Sequence, residues 1–236
     1  MSNEILIYDE IGEGWYDEGI TGKSIKRQLM NLEGDITVRI NSLGGDVFEA
    51  AAIYNLLKEY EGKVIVKIDS IAASAASVIA MAGDEVIVPS NAMIMIHNPW
   101  TFAYGESKDF LKTAERLDKI KETIANVYIE NTGISKNEIH EMMDEETWLT
   151  SEEAVAFGFA SKEETETEPL NVKNTFRLKN FKNCPKRLFD NQNQNSVKKD
   201  VEKKKAEEEK KQEIEIENNK KILVSKKQEL DLLEII

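Results

Sequence analysis

A single cysteine, Cys184, leaves no partner for an internal disulfide and argues against a cysteine-based metal site. That usage fits a reducing cytoplasm. Imidazole is nearly as scarce: His97 and His140 are the only histidines, so a reaction that needs one has two candidates. The opening Met1-Ser-Asn-Glu-Ile-Leu-Ile-Tyr8 lacks a basic segment followed by a long apolar core, which argues against a secretory leader. The longest apolar stretch, residues 71–82, is broken by serine and falls short of a membrane span. Positive charge is also in deficit. Lys and Arg number 31 against 44 Asp and Glu, a net charge of −13, so nucleic acid is a poor partner for the whole chain. No Gly-x-x-x-x-Gly-Lys-Ser/Thr loop occurs, so the chain brings no ATP site of that type. No cofactor or metal is expected.

What is present divides into two regions. Residues 1–165 read as one domain, long enough to bury a sizeable core, and residues 166–236 as a charged extension. From Pro169 onward the balance turns basic, while the part before it is strongly acidic. Periodicity predicts strands at 4–8, 35–41, 64–69, 85–88 and 92–96, and helices at 20–32, 46–60, 106–131 and 136–143. Strands alternating with helices imply βαβ units and a largely parallel sheet. The 106–131 helix carries an apolar stripe of Phe110, Ala114, Leu117, Ile124 and Val127. The Lys/Glu/Gln run from Lys198 to Lys227 is too charged to build a core, so disorder or a solvated helix is expected there. The apolar end, Glu229-Leu-Asp-Leu-Leu-Glu-Ile-Ile236, could dock on a partner.

The most informative stretch runs from Asp69 to Gly83. Ser74 stands there among alanines, whose small side chains let a substrate backbone approach. Ser70 and Ser77 compete with it for a nucleophile's role. Ser77 falls three residues deeper in the following helix, where a serine packs or bonds back to a carbonyl. On composition alone, Ser74 would be a helix cap. Upstream, Asn41-Ser-Leu-Gly-Gly45 offers backbone that can turn sharply and present an amide. Downstream, His97 in Met95-Ile-His-Asn-Pro99 sits at a strand-to-loop exit, whereas His140 lies in an ordinary amphipathic helix. Nucleophile, base and oxyanion donors can all come from these three pieces.

The motifs Asn41-Ser-Leu-Gly-Gly45, Ala51-Ala-Ile-Tyr-Asn55, Ala72-Ala-Ser74, Ala82-Gly83, Met95-Ile-His97-Asn-Pro99 and Trp148-Leu-Thr-Ser-Glu-Glu-Ala-Val-Ala-Phe-Gly158 stand in the order found in the ClpP family of serine proteases. The chain resembles that family over residues 3–162, and within it the ClpP-type prohead proteases of tailed phages. The resemblance implies an α/β fold of the ClpP/crotonase-like spiral type, with the 106–131 helix as a protruding handle. It implies Ser74 as nucleophile, His97 as base, and the amides of Gly45 and Ala75 as the oxyanion hole. Registering the Trp148-Leu149 pair puts Glu146 where the family has an aspartate, with Asp144 as the alternative acid and Glu145 a further rival. Two departures stand out: Leu43 replaces a common proline, and Thr147 replaces an arginine tied in the family to ring–ring contacts.

The function so implied is a ring-forming homo-oligomeric serine endopeptidase that processes capsid or scaffold proteins during prohead maturation. It would work in the bacterial cytoplasm or inside procapsids. One alternative is a degradative peptidase working with a separate AAA+ unfoldase. Others are a crotonase-like acyl-CoA enzyme and a catalytically inactive assembly scaffold.

Overall fold

The computed structural model describes residues 3–13, 19–164, 178, 181–185 and 188. The charged run and apolar end of the extension lie outside the described residues. The chain divides into two compact units, residues 1–189 and 190–236, and only the first contains described residues.

Among the described residues seven strands form one sheet: β1 (Glu4–Ile7), β2 (Ile36–Ser42), β3 (Val64–Ala73), β4 (Glu85–Pro89), β5 (Met93–Ile96), β6 (Thr147–Thr150) and β7 (Lys162–Glu164). The strands β1-β2-β3-β4-β7 pair in parallel, and β1 to β4 bury alternate Ile and Val side chains. The helices are α1 (Gly22–Leu29), α2 (Val47–Lys58), α3 (Ala75–Ala80), α4 (Ser107–Thr132), α5 (Lys136–Asp144) and α6 (Ser151–Ala156). Side-chain caps set several of their starts: Thr21, Asp46, Ser135 and Thr150 each accept a backbone N–H of the first turn. None of the described helices is long and apolar enough to cross a membrane.

The strand β3 forks, and the fork positions the site. Its first half, Ile65 to Lys67, pairs with β4, and its last three residues, Ile71 to Ala73, pair with β5. The strand thus extends four residues beyond the 64–69 expected from alternation. The alternation ends because residues 70–73 are all buried, being covered on both faces. In turn β5 pairs antiparallel with β6, Ile96 facing Thr147.

Of the expected α4 stripe, Ile124 and Val127 are partly buried against the core and Phe110 and Ala114 are exposed; the buried face is one residue further along. Ala125 and Tyr128 are buried, while Phe110 and Leu111 are exposed. No described residue of this chain covers the helix's first turns, so apolar residues there stay in solvent.

Candidate active site

The strand pairing brings the sequence-predicted nucleophile and base together. Ser74 is the residue after β3, and His97 the residue after β5. The Ser74 N–H donates to the Met95 carbonyl at 2.9 Å, which continues the β3–β5 ladder into the site. His97 Nε2 lies 2.8 Å from Ser74 Oγ. Both groups leave the C-terminal ends of adjacent parallel strands, the edge where open α/β sheets hold ligands.

Ser74 holds φ 56° and ψ −124°, a conformation that L-residues rarely adopt and that costs about 1–3 kcal/mol. The surroundings over-determine it. Ser77 Oγ donates to the Ser74 carbonyl at 2.6 Å and lies 2.8 Å from the Tyr128 hydroxyl. Ser77 has one hydroxyl proton, already committed to that carbonyl, so Tyr128 O–H donates to Ser77 Oγ. Burial raises the Tyr128 pKa, keeping the phenol protonated. Ser77 thus bonds back to a carbonyl, as its place in the helix suggests. Tyr128 was not legible as part of this chain of hydrogen bonds, because in sequence it is one more apolar position on a helix. Ser70 Oγ is buried without a hydrogen-bond partner.

Gly44 and Gly45 lie against this turn. A Cβ on Gly44 would come within 2.7 Å of the Ala73 carbonyl oxygen and 2.8 Å of Ser74 Cβ. One on Gly45 would come within 2.0 Å of the Ile11 carbonyl oxygen. Both residues have positive φ. The bridge to Ile11 uses the Gly44 carbonyl and the Asp46 N–H, and the Gly44 N–H donates to Ser42 Oγ. Among the described residues the N–H groups of Gly45 and of Ala75, the first residue of α3, find no acceptor.

The acids separate clearly. Glu146 directly precedes β6, so the antiparallel register sets it opposite His97. It is 8 % exposed, with φ 53°. Its carboxylate accepts from the Trp148 indole at 3.2 Å and from the backbone N–H groups of Lys182 (2.9 Å) and Asn183 (2.7 Å). No hydrogen bond joins it to His97 among the described residues, but its charge acts on the ring. Burial lowers the His97 pKa; Glu146 opposes that and Lys182 adds to it. Asp144 accepts instead from the Asn98 amide (2.7 Å) and from Lys121 of α4, and these two contacts lower its pKa. Glu145 offers its backbone carbonyl to the Asn183 side chain. His140 lies away from the dyad, 3.4 Å from Glu122.

Sequence reasoning missed the residues between 178 and 188 that meet the site. Leu178 is fully buried against Ile71, Ala73 and Met95, with Phe181, Cys184 and Leu188 beside it. Phe181 packs edge-on to His97 and to Trp148, with centroids 5.7 and 5.6 Å apart. The signal was Leu178, Phe181 and Leu188 scattered in a polar stretch without a period. Burial pushes the Cys184 thiol up to about 11. Among the described residues no three His, Cys, Asp or Glu side chains gather as a metal site.

Known proteins resemble this chain in sequence and in fold. An ATP-dependent Clp protease proteolytic subunit of Bacteroides fragilis strain ATCC 25285 is 30 % identical over 146 residues, which are 58 % of this chain and 70 % of that one. Its counterpart in strain YCH46 matches at 30 % over 146 residues, covering 66 % of its own length. Among solved structures, a point mutant of ClpP1 from Listeria monocytogenes superposes with a TM-score of 0.60 at 25 % identity. That match covers 70 % of this chain and 92 % of the other. The sequence profile of the Clp protease family spans residues 2–164, and so takes in β1 through β7 and both residues of the Ser74–His97 contact. With the fold and most of its length accounted for in this way, the chain belongs to the Clp protease family.

Proposed function

We propose that the chain is a serine endopeptidase in which Ser74 is the nucleophile and His97 the general base. The observation that carries this reading is the 2.8 Å contact between His97 Nε2 and Ser74 Oγ at the end of a strained turn. In the Nδ1–H tautomer, neutral His97 accepts the hydroxyl proton as Ser74 Oγ bonds to the substrate carbonyl carbon. The resulting oxyanion takes the amides of Gly45 and Ala75, donors that in other serine proteases are each worth about a hundredfold or more in rate. The imidazolium then gives its proton to the leaving amine, and water repeats the sequence to release the acyl group. Glu146 is the acid that orients the ring. Its place opposite His97 supports the role, though its side chain must turn from its present partners to reach Nδ1.

The substrates in this reading are capsid or scaffold proteins of a phage prohead. Support comes from the basic extension beyond the region the family profile covers. The working form is a homo-oligomeric ring, in the host cytoplasm or within procapsids. The exposed Trp100, Phe102, Tyr104, Phe110 and Leu111 supply an apolar surface for assembly. A second reading, a degradative peptidase fed by a separate AAA+ ATPase, is favoured by the ATP-dependent relatives. The two are told apart by incubating the protein with capsid precursor and reading products by mass spectrometry. Site-specific trimming, lost in Ser74→Ala with assembly intact by native mass spectrometry, is expected. Cleavage that survives Ser74→Ala removes Ser74 from the mechanism. Co-purification of an unfoldase without precursor trimming selects the second reading.

A further inference from the structure

The chain itself packs against the face beside Ser74 and His97. Leu178 packs, fully buried, on Ile71, Ala73 and Met95. Ala73 is the residue before the nucleophile, and Leu43, packed against this cluster, is the residue before Gly44. Phe181 then sets its ring against both His97 and Trp148. The next two residues turn their backbone N–H groups onto the two oxygens of Glu146, Lys182 on Oε2 and Asn183 on Oε1. The Asn183 side chain adds a bond to the Glu145 carbonyl, which fixes the segment along the loop carrying the acid. Paired amides on one carboxylate are a strong, oriented arrangement.

These contacts join two things that a working triad would keep apart. The hydrophobic docking lies beside the nucleophile and base, where a substrate side chain would be received. The polar docking holds the acid, whose hydrogen bonds go to Trp148, Lys182 and Asn183 instead of to His97.

We infer that Leu178, Phe181 to Asn183 and Leu188 form an intramolecular strap that docks beside Ser74 and His97 in place of substrate and holds Glu146 away from His97, so that the protease is latent until the strap is displaced. The strap rests on the serine-protease reading above and adds to it a cis-acting ligand: an apolar–aromatic peptide with two consecutive amides aimed at the acid. A substrate enters by competing with it. The fraction of molecules with the strap open then scales the apparent reactivity of the site.

The test compares the full chain with two full-length variants. Phe181→Ala removes the ring on His97. Lys182→Pro deletes one amide on Glu146 without touching the apolar cluster. Amide hydrogen exchange at residues 182 and 183 reports docking, and the labelling rate of Ser74 by a small fluorophosphonate reports access. Slow exchange is expected in the parent chain and fast exchange in both variants, read at Asn183 alone where Lys182 is replaced. Labelling should rise about tenfold or more on opening, the reciprocal of a small open fraction. A synthetic peptide spanning residues 176–190 should then slow the variants competitively. Rapid exchange at both amides in the parent chain would overturn the strap. So would unchanged or slower labelling in variants whose exchange shows them open, since the segment would then be a support for Glu146. Absence of labelling in parent and opened variants alike would instead overturn the serine-protease reading, and the latency with it.

Discussion

The hydrogen-bond chain from Tyr128 through Ser77 to the Ser74 carbonyl makes a ranked prediction. Tyr128→Phe removes one bond of 2.8 Å and leaves Ser77 Oγ still donating to Ser74. The cost is that of one net buried hydrogen bond, about 1 kcal/mol. Ser77→Ala does more damage. It orphans the Tyr128 hydroxyl, which is 1 % exposed, at about 1–3 kcal/mol, and takes one of two donors from the Ser74 carbonyl, which keeps the backbone N–H of residue 77 at 2.9 Å. It also releases the turn that carries the nucleophile, so the labelling rate at Ser74 falls together with stability. In the double variant the stranded phenol is gone, so its total loss is smaller than the sum of the two single losses. The assay is thermal melting at fixed protein concentration, because assembly makes melting concentration-dependent, with fluorophosphonate labelling run in parallel. A Tyr128→Phe loss equal to or larger than that of Ser77→Ala would refute the direction of the chain. Strict additivity would refute its existence.

The other expectations can be checked with the same assays. Gly44→Ala should abolish labelling, because its Cβ meets Ala73 O and Ser74 Cβ at 2.7 and 2.8 Å. Gly34→Ala serves as control: it also has positive φ but nothing within 4 Å, so it should cost only about 1–2 kcal/mol of stability and no activity. Glu146→Gln should cut turnover by roughly 10³-fold or more if the triad logic holds. Asp144→Asn, which loses an exposed pair with Lys121, should hardly change it, and the reverse ranking moves the acid's role to Asp144. His97 must be neutral to act as base, and burial lowers its pKa, so the acidic limb of kcat/KM should lie below the 6.5 of an ordinary imidazole. Glu146→Gln removes a charge that raises that pKa and should move the residual limb lower still; a wild-type limb above about pH 7 would contradict the buried geometry.

The alternating strands and helices were legible because period-2 and period-3.6 patterns dominate residues 4–143. The Ser74–His97 contact was legible because its two residues sit in short motifs at strand ends. The place of Glu146 opposite His97 follows from the β5–β6 register, which carries its linear spacing to Trp148-Leu149 into space. The fork of β3 was not legible. Residues 70–73 are small or apolar and buried on both faces, so they show neither period. Nor was the strap, whose docking depends on three scattered apolar side chains and on main-chain amides, which composition does not reveal. The buried half of α4 was hidden for the converse reason: its stripe continues into turns that no described part of this chain covers.

One helix touches both sides of the candidate site. On α4, Lys121 grips Asp144, two residues before Glu146, and Tyr128 reaches the nucleophile's turn through Ser77. The two anchors are about two turns and roughly 10 Å apart along one face. The helix therefore runs from the loop before β6 to the turn that carries Ser74. Adding or deleting a single residue between positions 121 and 128 would swing one anchor by about 100° and leave it facing the wrong way. Length there is fixed even where the identity of the intervening side chains is open to drift.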